Sequence, residues 1–394
     1  MAGLLPVDEA QQRLFALGTP VAAETVELAA AAGRWAACDI AALRSQPAQD
    51  LSAMDGYAIR FADLPGPFSL IGESAAGHGF AGAVGAGETV RIFTGAAMPA
   101  GADTVLVQEE ASRECTRVIL AGDGPSAPGR NVRHKGLDFS DGDLLVTRGE
   151  RLTPARIALA AIAGHGTLLV NRRVRVAILT TGDELVPPGA PVGAGQVPEA
   201  NGVMLAAHLG DLPVDLSLPA ILPDKLDLIS GAIAAINADI IVTIGGASVG
   251  DHDLIRPAIE AAGGTIDFWR IALRPGKPML AGRIGSTVIL GLPGNPVSAF
   301  VTAHLFLRPL IATLARAANP LPRTTTAMLG EPLPANDQRQ DYLRARWAAG
   351  RVISAAKQDS SLLQTLAEAD CLIVRAPFAP AAEPGEMVPI LPLA

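Results

Sequence analysis

The sequence predicts a multidomain α/β and β protein, and three observations carry that prediction. Its 394 residues suffice for two or three domains. From Arg172 onward, continuous apolar runs alternate with helical stretches, the pattern of a parallel-rich sheet covered on both faces. On either side, short apolar runs are punctuated by Gly, Pro and Asp turns. With 41 Gly and 31 Pro in the chain, small β-rich modules fit those regions better than a helical bundle.

Taken in order, the first forty residues read as helical. Asp8 and Glu9 open a stretch with Ala10, Leu14 and Leu17 about one turn apart, and Gly18-Thr19-Pro20 stops it. From Ser45 to Asp143, apolar runs at 68–71, 89–93, 104–108, 117–120 and 143–146 alternate with turns and predict a β-rich module. A helix follows over 152–163, with Thr153 as N-cap, Pro154 at its first position and Gly164 closing it. Next come a buried run at 174–180, a helix at 201–209, an extended run at 214–221 and a helix at 226–236. Beyond them lie a buried run at 239–244, a helix at 254–262, extended runs at 266–272 and 288–290, and a helix from Pro296 to about Ala315. Asn319-Pro320-Leu321-Pro322 is a linker. Short strands at 343–347, 352–355, 371–374 and 387–390 make a small β-rich end piece.

Composition excludes several classes. Apolar residues at 49% against 18% charged exclude disorder for most of the chain. A net charge of −8 without a basic stripe argues against nucleic acid as a partner. The N-terminus carries acids where a signal peptide is apolar, and Ile157–Val170, read as the longest apolar stretch, is too short to cross a bilayer. No membrane association is expected. Cys38, Cys115 and Cys371 form no CxxC pair, so a cytoplasmic location is expected.

Ligands of open α/β sheets bind beyond the carboxyl ends of the strands. Three such ends carry polar glycine-rich loops: 180–184, 245–253 and 292–296. Glycines let a backbone approach an oxyanion, and Ser248 adds a hydroxyl, although Gly-Gly after a strand also reads as a simple turn. The spacing of Gly245, Gly246 and Gly250 is neither a Walker loop nor G-x-G-x-x-G. Asp183, Glu184, Asp224, Asp251 and Asp253 supply hard oxygens suited to Mg²⁺ beside phosphate; Asp224 and Asp253 also stand where helix caps would. Arg274-Pro275-Gly276-Lys277-Pro278 sets two cations on a rigid turn, which suits a tetrahedral oxyanion or a solvated surface. A further anion candidate is the stretch from Arg339 to Arg344 with Gln358-Asp359-Ser360-Ser361. In the β-rich module, Asp55-Gly56 reads as a hairpin turn, with Arg91 to Ala96 and Arg133 to Asp138 adding a hydroxyl, cations and another acid.

These residues together resemble a known family. Ser52 to Ala58, Phe93-Thr94-Gly95, Thr181 to Leu185, the 245–250 glycine loop, Arg274 to Pro278 and Leu292 to Ser298 are similar to molybdopterin molybdenumtransferase, the MoeA family shared with the gephyrin and plant Cnx E domains. The resemblance runs in order along nearly the whole chain. It implies a connector domain from 1–44 plus 140–171, an inserted β-rich module at 45–139, a MoaB/Mog-like molybdopterin-binding α/β domain at 172–318, and a small C-terminal β-barrel domain at 319–394. It further implies a homodimer with an active site shared between subunits, and a molybdopterin adenylyltransferase as an interaction partner. The implied reaction takes adenylylated molybdopterin (molybdopterin-AMP) and molybdate, uses Mg²⁺, cleaves the phosphoanhydride and releases AMP.

Carried over by motif, the catalytic positions are Asp55, Thr94, Asp138, Glu184, Asp224, Asp253 and Lys277, with Asp253 and Glu184 toward the metal. Thr180, Gly245, Gly246, Ser248, Arg274, Pro293, Pro296 and Ser298 fall at substrate-binding positions. Three positions depart from the family pattern: Glu199, Leu137 and Ala247. The alternatives are a molybdopterin adenylyltransferase, which uses the same α/β domain alone, and a non-catalytic gephyrin-like scaffold.

Overall fold

The computed structural model describes residues 4–245, 254–276 and 278–393. At its centre is a six-stranded sheet in the order Val214–Ser217, Val174–Thr180, Ile240–Ile244, Thr287–Leu292, Pro278–Ile284, Thr265–Arg270. The first four strands are mutually parallel, Pro278–Ile284 runs antiparallel to Thr287–Leu292, and Thr265–Arg270 runs antiparallel to Pro278–Ile284. Alternate residues of each strand enter different cores, as the two-residue period of a strand requires. Val176, Ile178, Val242 and Leu290 pack with the Val7–Leu17 helix and the last helix. Ala177, Leu179, Ile241 and Ile289 pack instead with Leu226–Ala235 and Ile255–Ala261. Burial on both faces explains why these strands read as unbroken apolar runs.

The chain enters the sheet at Val174–Thr180, builds outward to Val214–Ser217, then returns to the other side at Ile240–Ile244. That reversal is the topological switch point, where the carboxyl ends of neighbouring strands leave a crevice.

Three smaller units surround this sheet. In the segment 45–139, a six-stranded sheet orders Thr104–Val107, Gly56–Ile59, Glu88–Ile92, Phe68–Ser74, Arg117–Leu120 and Ala111–Glu114. Ala23–Glu27 pairs antiparallel with Thr167–Asn171, tying the two flanking segments into one body. The C-terminal sheet runs through Gln340–Ala348, Cys371–Arg375, Met387–Pro392 and Thr325–Met328. Its other edge is Leu273–Arg274, which leaves the central unit to pair in parallel with Gln340 and Asp341. The C-terminal sheet is therefore stitched to the loop that carries Arg274.

Several sequence expectations need correction. The first forty residues are helical only at Val7–Leu17 and Leu28–Ala31, because Ala23–Glu27 finds a strand partner far along the chain. The extended run at 214–221 is a strand only to Ser217. Pro278–Ile284 is a strand the sequence reading did not place. Asp55-Gly56 is no hairpin turn: Gly56 lies inside a strand, where a Cβ would collide with the Leu106 carbonyl. Nor does Asp224 cap its helix, which begins at Leu226 after Lys225 without a side-chain cap. The longest apolar helix among the described residues is the last one of the central unit, Pro296–Leu314, with mean hydropathy 1.5 and 83% of its most apolar eighteen-residue window buried. It is regular at its ends and relaxes into a π-turn at Ala303–Leu307. At 152–163 the expected caps are present, with the Thr153 hydroxyl accepting from the Arg156 amide and Gly164 at positive φ.

Candidate active site

A cavity of about 820 Å³ opens at the carboxyl ends of the central strands. Glu184, Gly245, Pro293, Gly294 and Ser298 line it from the parallel sheet, so the three glycine-rich loop regions do converge. Arg339, Gln358, Asp359 and Ser360 form the opposite wall from the C-terminal unit, and Arg274 to Gly276 bridge the two.

The acids are brought together by register. Thr181 pairs with Leu222, and the Gly182 amide donates to the Leu222 carbonyl, so two crossover loops run side by side. The Asp224 amide then donates to Asp183 Oδ1 at 3.1 Å. Gly182 is required here: its φ is +150°, and a Cβ would stand 2.6 Å from Glu184 Oε2. Burial pushes the Asp224 carboxyl above its usual range, and the negative charges of Asp183 and Glu184 add to that shift.

The anion-binding reading of Arg274 meets a structural claim on the same side chain. Its Nε and Nη2 clamp Asp341, Nη2 also reaches Asn336 Oδ1 at 3.1 Å, and Nη1 reaches Asp337 at 3.3 Å. Of five guanidinium hydrogens, one on Nη1 is left. Arg339 is likewise paired with Asp337 at 2.8 Å. Arg344 is 1% exposed and donates to Gln358 and to the carbonyls of Asp359 and Leu362, so it shapes the wall instead of meeting ligand. That wall is fastened to the last helix: the Val297 amide donates to the Ser360 carbonyl, and Asn295 Nδ2 to Ser360 Oγ at 2.9 Å.

Other expected residues sit nearby in supporting roles. Thr180 is buried at the end of its strand beside Glu199, which accepts the Gly202 amide at 2.7 Å. Pro296 opens the last helix. The Gly245 amide is taken by the Leu292 carbonyl, so Gly245 shapes the floor and presents no free donor. Asn201, which the reading of individual residues had not singled out, donates to the Gly294 carbonyl at 2.7 Å and pins that loop. Gly246, Ser248, Asp253 and Lys277 lie outside the described residues.

Asp55, Thr94 and Asp138 are elsewhere. None of residues 45–139 lines the cavity. On that module, Asp55 Oδ1 accepts both the Thr94 amide at 2.7 Å and the Thr94 hydroxyl at 2.8 Å. These two bonds hold the Asp55 carboxyl below its usual range, with Arg91 contributing. Arg91 sits between the Tyr57 and Phe93 rings at 5.1 and 4.9 Å. Asp138 is exposed.

This fold defines a multidomain α/β protein with a cavity where its central sheet meets a C-terminal β unit. Comparison with known proteins narrows that class. Residues 5–164 match the MoeA N-terminal region (domain I and II), 177–313 a probable molybdopterin binding domain, and 326–393 the MoeA C-terminal region (domain IV). The chain is 37% identical to a molybdopterin molybdenumtransferase of Haemophilus influenzae over 79% of this chain and 78% of that one. It is 30% identical to the Bacillus subtilis molybdopterin molybdenumtransferase over 98% and 94%. A molybdopterin biosynthesis MoeA protein structure from Pyrococcus horikoshii superposes with a TM-score of 0.84 at 26% identity, covering 99% of this chain and all of that one. The chain belongs to the MoeA family of molybdopterin molybdenumtransferases, and it is a transferase of molybdenum cofactor biosynthesis.

Proposed function

We propose that this transferase inserts molybdate into adenylylated molybdopterin, cleaving the phosphoanhydride and releasing AMP. The observation that carries the reading is the 820 Å³ cavity, where glycine-rich strand ends face an arginine-bearing wall. A phosphoanhydride and molybdate are both anionic, and the site offers open backbone, Ser298, Ser360 and the Arg274–Pro278 turn to meet them. Arg274 keeps one N–H for the oxyanion while Asp341 fixes the turn on which Lys277 follows. Thr180, Gly245, Pro293 and Pro296 would hold the nucleotide part, with Gly246 and Ser248 assigned to it by motif alone.

Among the described residues no group of three or more Asp, Glu, His or Cys side chains is arranged to hold a metal ion by itself, and Glu184 brings one carboxylate to the cavity. Such an arrangement fits Mg²⁺, which takes one or two carboxylates and leaves room for phosphate and water. Glu184, with Asp253 assigned by motif alone, would hold it, and it would neutralise charge at the scissile phosphate. Asp224, with its raised affinity for a proton, would serve as the proton-holding acid beside it.

Asp55, Thr94 and Asp138 complete the site from the module of a second subunit, in a homodimer. Supporting this, Leu43, Leu144 and Ile162 are exposed on neighbouring parts of the flanking body, where the Leu43 amide bonds the Ala163 carbonyl and the 144 strand pairs beside it. The proposed four-part division, with boundaries at 44, 139, 171 and 318, is supported by the separate sheets, while one core joins the Val7–Leu17 helix, the central sheet and Leu372 and Leu391 of the C-terminal unit. A cytoplasmic setting suits the three free thiols, and an adenylyltransferase is the class of partner that supplies the substrate. The test is AMP release from adenylylated molybdopterin. Release that requires Mg²⁺ and is driven by molybdate supports the reading; no release from a folded protein overturns it.

A further inference from the structure

A second cavity, of about 420 Å³, lies away from the candidate active site, where the flanking body, the last helix and the 318–323 linker meet. Its lining is unusual for a chain of net charge −8: Arg151, Arg156, Arg308 and Arg323 surround it. Among the described residues, two carboxylates answer these four guanidiniums. Glu150 pairs with Arg156, and Asp211 is shared between Arg151 and Arg308. Arg323 is exposed at the mouth and has no partner among the described residues.

The inner wall holds an independent sign. His304, in the π-turn of the last helix, is 8% exposed, and neither of its ring nitrogens has a hydrogen-bond partner. His208 Nε2 is equally unpartnered, and the two ring centroids are 5.4 Å apart. Buried polar atoms without partners are rare, and π-turns concentrate at functional positions. The cavity is also held open by rigid backbone. The Ala318 amide donates to the Gly149 carbonyl at 2.9 Å, and Gly149, at φ +82°, has no room for a Cβ between Arg316 and Ala318.

We propose that this junction cavity is a second anion site, which takes a small phosphate-bearing molecule against Arg323, Arg308 and the His304 wall. Excess guanidinium charge in a partly enclosed cavity favours a multivalent oxyanion, and arginine forks match phosphate geometry.

The test is calorimetric titration of inorganic pyrophosphate into the wild-type protein, Arg323→Glu and Arg339→Glu. Arg339 lines the candidate active site and controls for anion binding there. Arg323→Glu should melt like wild type, because the side chain has no partner to lose, and should bind pyrophosphate about tenfold more weakly, or about 1.4 kcal/mol. Arg339→Glu should retain the Arg323-dependent site. Equal binding by wild type and Arg323→Glu overturns the proposal, as does loss of all binding in Arg339→Glu or none in wild type. AMP titrated in the same way tells whether a nucleotide or a free oxyanion is the better source of the phosphate.

Discussion

The cavity at the sheet's carboxyl ends and the Asp55–Thr94 pair on the β-module are built in opposite ways. The cavity is enclosed by two units, floored by glycines, and its arginines are tied to Asp337 and Asp341. The Asp55 pair stands on an open surface, with one carboxylate oxygen occupied by Thr94 and the other available. An enclosed site can bind a substrate alone. An acid on an open surface cannot, however well its charge is prepared, unless another surface closes over it. That contrast is what the proposed sharing of the site between two subunits would account for.

The largest effects should come from breaking either half. Glu184→Ala and Asp55→Ala should each reduce AMP release about 100-fold or more, while melting within about 0.5 kcal/mol of wild type, because neither side chain packs a core. If the two halves meet across a dimer, mixing the two variants in equal amounts with subunit exchange gives half mixed dimers. Each mixed dimer has one intact site, so about a quarter of all sites should recover activity. Verified exchange with no recovery would place both acids in one subunit's site.

Next in size is the tie behind the cavity. Asp341 is 3% exposed and carries the bidentate grip on Arg274. Asp341→Ala leaves that guanidinium facing a buried void. Removal of one partner of a buried pair costs 3–5 kcal/mol, and since Arg274 is nearly half exposed, about 2 kcal/mol is expected here. Urea unfolding measures it. The apparent affinity for molybdate should fall as well, because Arg274 to Gly276, which line the cavity, are no longer held. A stability loss with unchanged molybdate dependence would make the tie purely structural.

That tie also marks the limit of the sequence reading. Arg274 and Asp341 are far apart in the chain, and nothing local to Arg274-Pro275-Gly276 announces that its register partner Asp341, with Asn336 and Asp337, engages most of its hydrogens. Local signals carried what local chemistry decides: Thr153-Pro154 and Gly164 bounded a helix, and unbroken apolar runs marked strands buried on both faces. Pro278–Ile284 was hidden because Pro278 and Gly282 look like breakers. Gly282 is in fact where the Thr265 carbonyl comes too close for any Cβ. Ala23–Glu27 was hidden for another reason: it is mostly exposed, so it has no apolar alternation, and pairing with Thr167–Asn171 is what makes it a strand. The glycine-rich loops and acids of the candidate site were legible, since chemistry restricts residue type there. Which of them face one cavity was not.

A control acid sharpens the comparison. Asp239 lies at the opposite, amino end of the central strands, paired with Arg172 and Arg175 at 2.7 and 3.0 Å. Burial pushes its carboxyl up, but the hydrogen bonds from both arginines and from the Arg175 amide outweigh that and bring it down to about 2. A carboxyl lowered on folding contributes stability above its unfolded value and loses it as pH falls through the folded value. Asp239→Asn should therefore cost about 2 kcal/mol near neutral pH. The difference from wild type should shrink as pH falls from about 4 toward 2. AMP release should be unchanged, which would separate fold-bearing acids at one end of the sheet from working acids at the other.

The smallest expected effect tests the prepared charge on the module. Thr94 holds Asp55 ionised through two bonds, and the amide contributes more than the hydroxyl. Thr94→Ala removes only the hydroxyl, so the Asp55 carboxyl should rise partway toward its ordinary value. If ionised Asp55 is needed, the acid limb of the pH–rate profile should move to higher pH, with the plateau rate nearly kept. Thr94→Ser restores the hydroxyl and should return the limb toward wild type. The sign follows from the direction of the shift: less stabilisation of the carboxylate means more protonated enzyme at a given acidic pH. A lower plateau with an unmoved limb would instead assign the Thr94 hydroxyl a direct contact with substrate, and the module would bring two working groups to the partner's cavity.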